Sequence, residues 1–148
     1  VLVVDDVVEV DAPTDVVWSV LTDFDRYSDW NPFIGRCRAD LTVGAPIDMR
    51  VQQLMPLPIP MREWVHTVTP GREFGYSMKP IPLGALRSNR THTLTPLAGN
   101  RTRYESHFEL AGWLAPLVGL LFGRGFRRGF PGMTTAVEHE AERRHTAP

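Results

Sequence analysis

Asp11-Ala-Pro-Thr-Asp-Val-Val-Trp-Ser-Val-Leu-Thr-Asp-Phe-Asp-Arg-Tyr-Ser-Asp-Trp-Asn-Pro-Phe-Ile34 is the stretch that decides the fold of this chain. Ahead of it, Val1 to Val10 is rich in β-branched residues and reads as a strand. Inside it, Pro13 suits a first helical turn, and Val16, Val17, Val20 and Leu21 then repeat at helical spacing. Asp23 starts a second short helix that Pro32 closes, and Trp30-Asn31-Pro32-Phe33 leads into a new strand. The segment is a strand giving way to two short helices.

Working outward toward the C-terminus, short strands separated by turn signals follow: Gly35 to Leu41, Ile47 to Gln53, Arg62 to Thr69, Glu73 to Met78, Ser88 to Thr95 and Thr102 to Leu110, seven with the first at Val3 to Val10. A final helical region runs from about Leu114 to Arg144. It carries Leu114, Val118, Phe122, Phe126, Phe130 and Val137 near spacings of four, the stripe of a helix that packs on a sheet. Pro131 is expected to break or kink it. Glycines at 119, 123, 125, 129 and 132 weaken the helix and remove side-chain volume. The region is thus either partly irregular or shaped to leave space, and we read space.

This order of elements, headed by the Asp11 to Ile34 block, resembles the START-like, or helix-grip, superfamily, in particular its polyketide cyclase/dehydrase and lipid-transport branch. The resemblance implies an α+β fold in which a curved seven-stranded antiparallel sheet wraps around a long C-terminal helix, with two short helices after the first strand. It also implies a small-molecule cavity between sheet and helix. It extends over residues 1–148 as one ligand-binding domain, and it implies no particular reaction.

A chain of 148 residues, 43% hydrophobic, has material for one sizeable core. A formal net charge of −1 supplies no long-range field to draw in nucleic acid or an acidic membrane, and neither partner is favoured. Cys37 is the only cysteine, so there is no internal disulfide and no thiolate cluster, which fits the cytoplasm as the expected location. Five histidines without close i, i+4 spacing make a poor metal site, and neither metal nor other cofactor is expected. The glycines of the terminal region do not follow a strand in a βαβ unit, so no nucleotide-phosphate loop is indicated. No uninterrupted apolar segment is long enough for stable insertion across a bilayer.

In an antiparallel meander every second connection lies at the same end of the sheet. One end receives compact turns at residues 42–46, 70–71 and 98–100. The other receives three longer, proline-stiffened, apolar connections at residues 54–60, 79–86 and 111–116. They form either a greasy rim around an opening or a plug folded onto the core. Such a rim could touch a carrier protein or a membrane surface. Arg124, Arg127 and Arg128, beside Phe122, Phe126 and Phe130, could touch a phosphate, an anionic lipid or an acidic carrier, but such a knot is more often the solvated face of a helix. The run Trp113 to Phe122 could dip into a membrane surface but reads more simply as the buried start of the terminal helix.

Side chains alternate across a strand, so apolar parity assigns inward faces. It places Met49, Val51 and Gln53 inward, together with Trp64 and His66, then Phe74, Tyr76 and Met78, and finally Tyr104, Ser106 and Phe108; His107 falls outside. In the strand from Ser88, Leu94 argues for Arg90 and His92 inward, while Thr91, Thr93 and Thr95 suit either side. From the terminal helix Phe122, Phe126 and Phe130 face the same space. Trp30 joins either the pocket wall or the packing between the small helices and the sheet. For His66 and Tyr76 to share a face, the connection at Pro70 must hold an odd number of residues or a bulge. A three-residue Ala98-Gly99-Asn100 loop sets Leu94 opposite Tyr104 and His92 opposite Ser106.

These residues support a leading reading, a carrier or binding protein for a hydrophobic lipid, polyketide or terpenoid. In a second reading, inward His66, Tyr76 and His92 act as general acids and bases in a cofactor-independent cyclase or dehydratase. A third is a module that docks a partner through the apolar rim.

Overall fold

The computed structural model describes residues 1–147. Strand β1 (Leu2–Val10) is followed by helix α1 (Thr14–Thr22), a 3-10 turn (Phe24–Arg26) and the one-turn helix α2 (Tyr27–Trp30). Six strands come next: β2 (Ile34–Ala39), β3 (Pro46–Val51), β4 (Ile59–Thr69), β5 (Glu73–Ser77), β6 (Arg87–Leu97) and β7 (Arg101–Ala111); helix α3 (Ala115–Thr146) follows. All seven strands form one antiparallel sheet in the order β1-β7-β6-β5-β4-β3-β2. The path is a meander from β2 to β7, with the α1–α2 segment carrying the chain from one edge strand to the other. This is the α+β helix-grip architecture that the sequence resembles.

The opening block folds for local reasons. The Pro13 carbonyl accepts the amides of Val16 and Val17, starting α1, whose buried residues Val17, Val20 and Leu21 lie on one face. The Tyr27 hydroxyl donates to the carbonyl of Leu21, tying α2 back onto α1. The Asn31 Oδ1 accepts the amides of Phe33 and Ile34, each at 2.9 Å. That Asx turn aims Phe33 inward as β2 begins.

Helix α3 has two unlike halves. Its second half buries Met133, Val137 and Ala141 in the core. It is pinned further by the Arg144–Asp23 ion pair at 3.3 Å and by the Asp11 amide donating to Glu142 at 2.8 Å. The first half buries little: Leu117, Leu120 and Leu121 are 52%, 82% and 65% exposed, and Trp113 just ahead of it is 65% exposed. The Trp113 to Phe122 run is therefore not a buried helix start. Nor does Pro131 break the helix, which continues through it. The carbonyl that its missing N–H leaves free belongs to Arg127, an exposed residue.

The β4–β5 connection corrects the parity reading. The loop is odd, three residues between Thr69 and Glu73, but the register then skips His66, with Val65 opposite Tyr76 and Thr67 opposite Gly75. This bulge undoes the effect of the odd loop. Glu63 and Val65 turn inward, and Trp64 and His66 turn out to the convex face. The β6–β7 hairpin has its three-residue loop and the expected pairs, His92 opposite Ser106 and Leu94 opposite Tyr104.

Candidate functional site

The first half of α3 stands off the concave face of the sheet, and a cavity of about 300 Å³ lies between them. Its walls come from Phe33 and Ile34, from Met49, Val51 and Leu54, from Ile59, Met61 and Glu63, and from Tyr76, Met78, Leu86, Ser88 and Arg90. Phe108 and Leu110 of β7 complete the sheet side, and Val118, Phe122, Phe126 and Phe130 line the helix side at four-residue spacing. Glycines of α3 set its height. A Cβ at Gly129 would lie 2.2 Å from the Phe33 ring, and one at Gly125 would lie 2.7 Å from a methyl carbon of Leu54, so both positions admit close contact at the rim of the space. Toward the centre of the molecule the cavity ends on an aromatic floor. Phe108 and Phe130 stack with centroids 4.4 Å apart, and the Arg90 guanidinium lies 4.6 Å from the centre of the Phe130 ring.

Four polar side chains interrupt this apolar wall, all around one point. Arg90 of β6 is 2% exposed; it donates to the Ser106 hydroxyl and, at 3.4 Å, to the His107 carbonyl. No carboxylate lies within ion-pair distance of it among the described residues. Glu63 of β4 is buried and accepts a long hydrogen bond, 3.4 Å, from the Ser88 hydroxyl, which itself accepts the Met78 amide at 3.0 Å. Burial pushes the Glu63 carboxyl up to about 7, opposed by the Ser88 hydrogen bond and the charge of Arg90. Tyr76, opposite Arg90 in the sheet, completes the group, and burial raises its phenol well clear of neutrality.

Of the residues singled out in the sequence, Met49, Val51, Tyr76, Met78, Arg90, Phe108, Phe122, Phe126 and Phe130 lie on the cavity wall. Eight do not. His66 sits on the convex face over Gly75, its Nε2 donating to Asn89 Oδ1 at 2.8 Å, and its neighbour Trp64 is 37% exposed. Gln53 has left the strand with φ 71° and donates to the Pro32 carbonyl at 2.9 Å. Trp30 packs edge-on to Tyr27 at 5.2 Å. Phe74, His92, Tyr104 and Ser106 belong to the filled interior behind the floor. There His92 is stacked on Phe74 at 4.6 Å and shares a 2.6 Å hydrogen bond with the Tyr104 hydroxyl. Burial, with a smaller contribution from Arg90, drives its pKa well below the ordinary histidine range, so it is neutral. The His66, Tyr76, His92 trio is thus dispersed over three environments. Sequence reasoning missed Glu63 because the His66 bulge exchanges the faces of β4, and it passed over Ser88 although Ser88 shares the parity of Arg90 and His92. The signal available was Gly75, a glycine inside a strand facing the bulge.

The cavity between sheet and terminal helix defines a helix-grip protein with an internal apolar site. The family described as polyketide cyclase / dehydrase and lipid transport matches residues 2–139, and the chain belongs to it. Among solved structures the chain is similar to the Zhui aromatase/cyclase of a Streptomyces species, at 21% identity and a TM-score of 0.78, covering 99% of this chain and 96% of that one. A protein from Nitrosomonas europaea gives 20% identity and a TM-score of 0.75, with 99% and 97% covered. A START superfamily protein from Mycobacterium smegmatis gives 18% and 0.70, with 95% and 97% covered. At these identities the likeness is one of fold. No curated protein sequence matches the chain significantly.

Proposed function

We propose that the protein binds a hydrophobic small molecule of lipid, polyketide or terpenoid type in this cavity, with an oxygen function of the ligand held at the Glu63, Tyr76, Ser88 and Arg90 end. The observation that carries the reading is a space of about 300 Å³ whose wall is apolar except at that one end. The volume falls at the lower limit of small-molecule sites, and burial of apolar ligand surface at about 25 cal/mol per Å² supplies affinity while the polar cluster fixes direction. Arg90 is a buried cation with no carboxylate partner among the described residues, so it favours a carboxylate, enolate or strongly polarised carbonyl. Titration with dansyl-labelled undecanoic acid tests this. Val118→Trp, which fills the space from α3, is expected to weaken binding about tenfold or more, with the circular dichroism spectrum unchanged. Arg90→Met is expected to weaken the acid by about tenfold or more and leave the corresponding alcohol unaffected. No saturable binding to the wild type, or equal binding to Val118→Trp, removes the reading.

Glu63 favours a second reading, cofactor-independent acid–base chemistry of the cyclase type. A carboxyl titrating at about 7 is present in both forms at neutral pH, the condition under which one group both takes and returns a proton efficiently. Arg90 and the Tyr76 phenol then face a developing enolate. Glu63→Gln is expected to abolish turnover of a linear polyketone while the dansyl probe still binds. Turnover that survives the substitution removes this second reading.

A further inference from the structure

The end of the molecule at which Leu54, Leu86 and Val118 line the cavity is unlike the rest in two respects. Its exposed side chains are large and apolar: Leu57 is 77% exposed, Leu83 91%, Trp113 65%, Leu117 52%, Leu120 82% and Leu121 65%. They come from three separate chain segments that meet there, two of which are bound together. The Trp113 indole donates to the Leu83 carbonyl at 3.0 Å, and the Leu114 amide donates to the Ala85 carbonyl at 2.9 Å. Gly112 makes that contact possible, since with φ 113° a Cβ there would lie 2.4 Å from the Ala85 oxygen. The tip is a built surface rather than a set of loose loops.

The second respect is charge. Residues 49–62, 78–88 and 110–137 contain no aspartate or glutamate, in a chain that has 17 of them, yet they hold Arg50, Arg62, Lys79, Arg87, Arg124, Arg127 and Arg128. Only Arg62 of these has an ion-pair partner among the described residues, Asp48. A chain with a net charge of −1 has therefore collected unbalanced positive charge at one end.

On α3 the two features share one stripe. Leu117, Leu120 and Leu121 stand at i, i+3 and i+4, and Arg124, Arg127 and Arg128 continue the same exposed side. At 1.5 Å per residue the arginines follow Leu120 by roughly 6–12 Å along the axis. That is about the depth to which an interfacial segment sinks its apolar face below the phosphate level, with arginines left at the headgroups. We infer that this end docks on the surface of an anionic lipid bilayer: the leucines and Trp113 enter the acyl boundary, the three arginines sit at the phosphates, and the cavity beside Val118 and Phe122 opens onto lipid. An acidic carrier protein would satisfy the arginines but would leave leucines from three segments without an apolar counterpart. The inference does not depend on which ligand the cavity holds.

Flotation of the full chain with phosphatidylcholine vesicles, with and without phosphatidylglycerol, tests it. Association is expected with the anionic vesicles at low salt, with Trp113 fluorescence quenched by lipids brominated near the headgroup. Arg124→Gln/Arg127→Gln/Arg128→Gln is expected to weaken partitioning on the order of a hundredfold, roughly fivefold per arginine. Leu120→Ser/Leu121→Ser is expected to weaken it by at least about tenfold. Both variants should still bind dansyl-labelled undecanoic acid in solution, which separates failure of docking from failure of the cavity reading. Absence of binding to anionic vesicles, binding undiminished in either variant, or capture of an acidic acyl-carrier protein in place of vesicles overturns the inference.

Discussion

Glu63 is a carboxyl that the fold makes expensive to ionise. Its pKa lies at about 7 in the folded chain against an ordinary 4.5, so between those values the native state holds a proton that the unfolded chain has released. The stabilising effect of that proton is fully present below about pH 4.5 and is lost as the pH rises through about 7. Glu63→Gln keeps the size and removes the charge. It is expected to raise stability at pH 8 by about 3 kcal/mol at most, with the gain vanishing toward pH 4.5, as measured by urea unfolding across that range. A gain that is constant with pH would mean that Glu63 does not titrate in the window. His92 works in the opposite direction. Its depressed pKa means that the unfolded chain takes up a proton first as the pH falls through the ordinary value of 6.5, so its contribution is lost on acidification. His92→Phe is expected to flatten that acid limb, at a constant penalty of about 1–3 kcal/mol for leaving the buried Tyr104 hydroxyl without its partner.

Helix α3 divides into an anchor and a lid-like first half, and its glycines differ accordingly. Nothing lies within 4 Å of a Cβ built at Gly119, so Gly119→Ala gains helix propensity alone and is expected to stabilise by about 0.5–1 kcal/mol. Gly129→Ala drives a methyl group into the Phe33 ring and is expected to destabilise by about 1–2 kcal/mol despite the same propensity gain. Urea unfolding of the two variants side by side distinguishes space from close contact at each position. At this scale most of the molecule was legible in advance. The helical spacing of Val16, Val17, Val20 and Leu21, the apolar parity of β7 and the three-residue β6–β7 loop each follow from local stereochemistry, and each stands in the structure. The His66 bulge was not legible, because Trp64 and Val68 on one parity and Val65 on the other make β4 apolar on both faces. A single inserted residue then exchanges the two faces, moving His66 out of the site and Glu63 into it. Parity likewise does not tell a wall from a filled interior: His92 and Arg90 share a face, and the stacked Phe108 and Phe130 rings close the cavity just beyond Arg90.

Across the whole molecule, the solid interior around Phe74, His92 and Tyr104 and the hollow under the first half of α3 divide the labour between stability and binding. A ligand that fills the hollow ties the loosely held helix half to the sheet, so saturation with the dansyl probe is expected to raise the melting temperature by several degrees and to slow amide exchange at residues 115–126. Exchange that slows only in the second half of the helix would place the probe elsewhere. The strand order has a consequence of its own. Because the chain crosses from one border of the sheet to the other before the meander starts, β2 is left as an outermost strand with a free row of backbone groups. Its exposed side chains are Arg36 and Arg38, and its register slips between Ile34 and Cys37. Charge and irregularity at such a border oppose strand addition by another molecule. Replacing both arginines with threonine is expected to leave the chain folded and to let it polymerise on concentration, visible by light scattering, because fibre growth by strand addition starts at the border of a sheet and not at its centre.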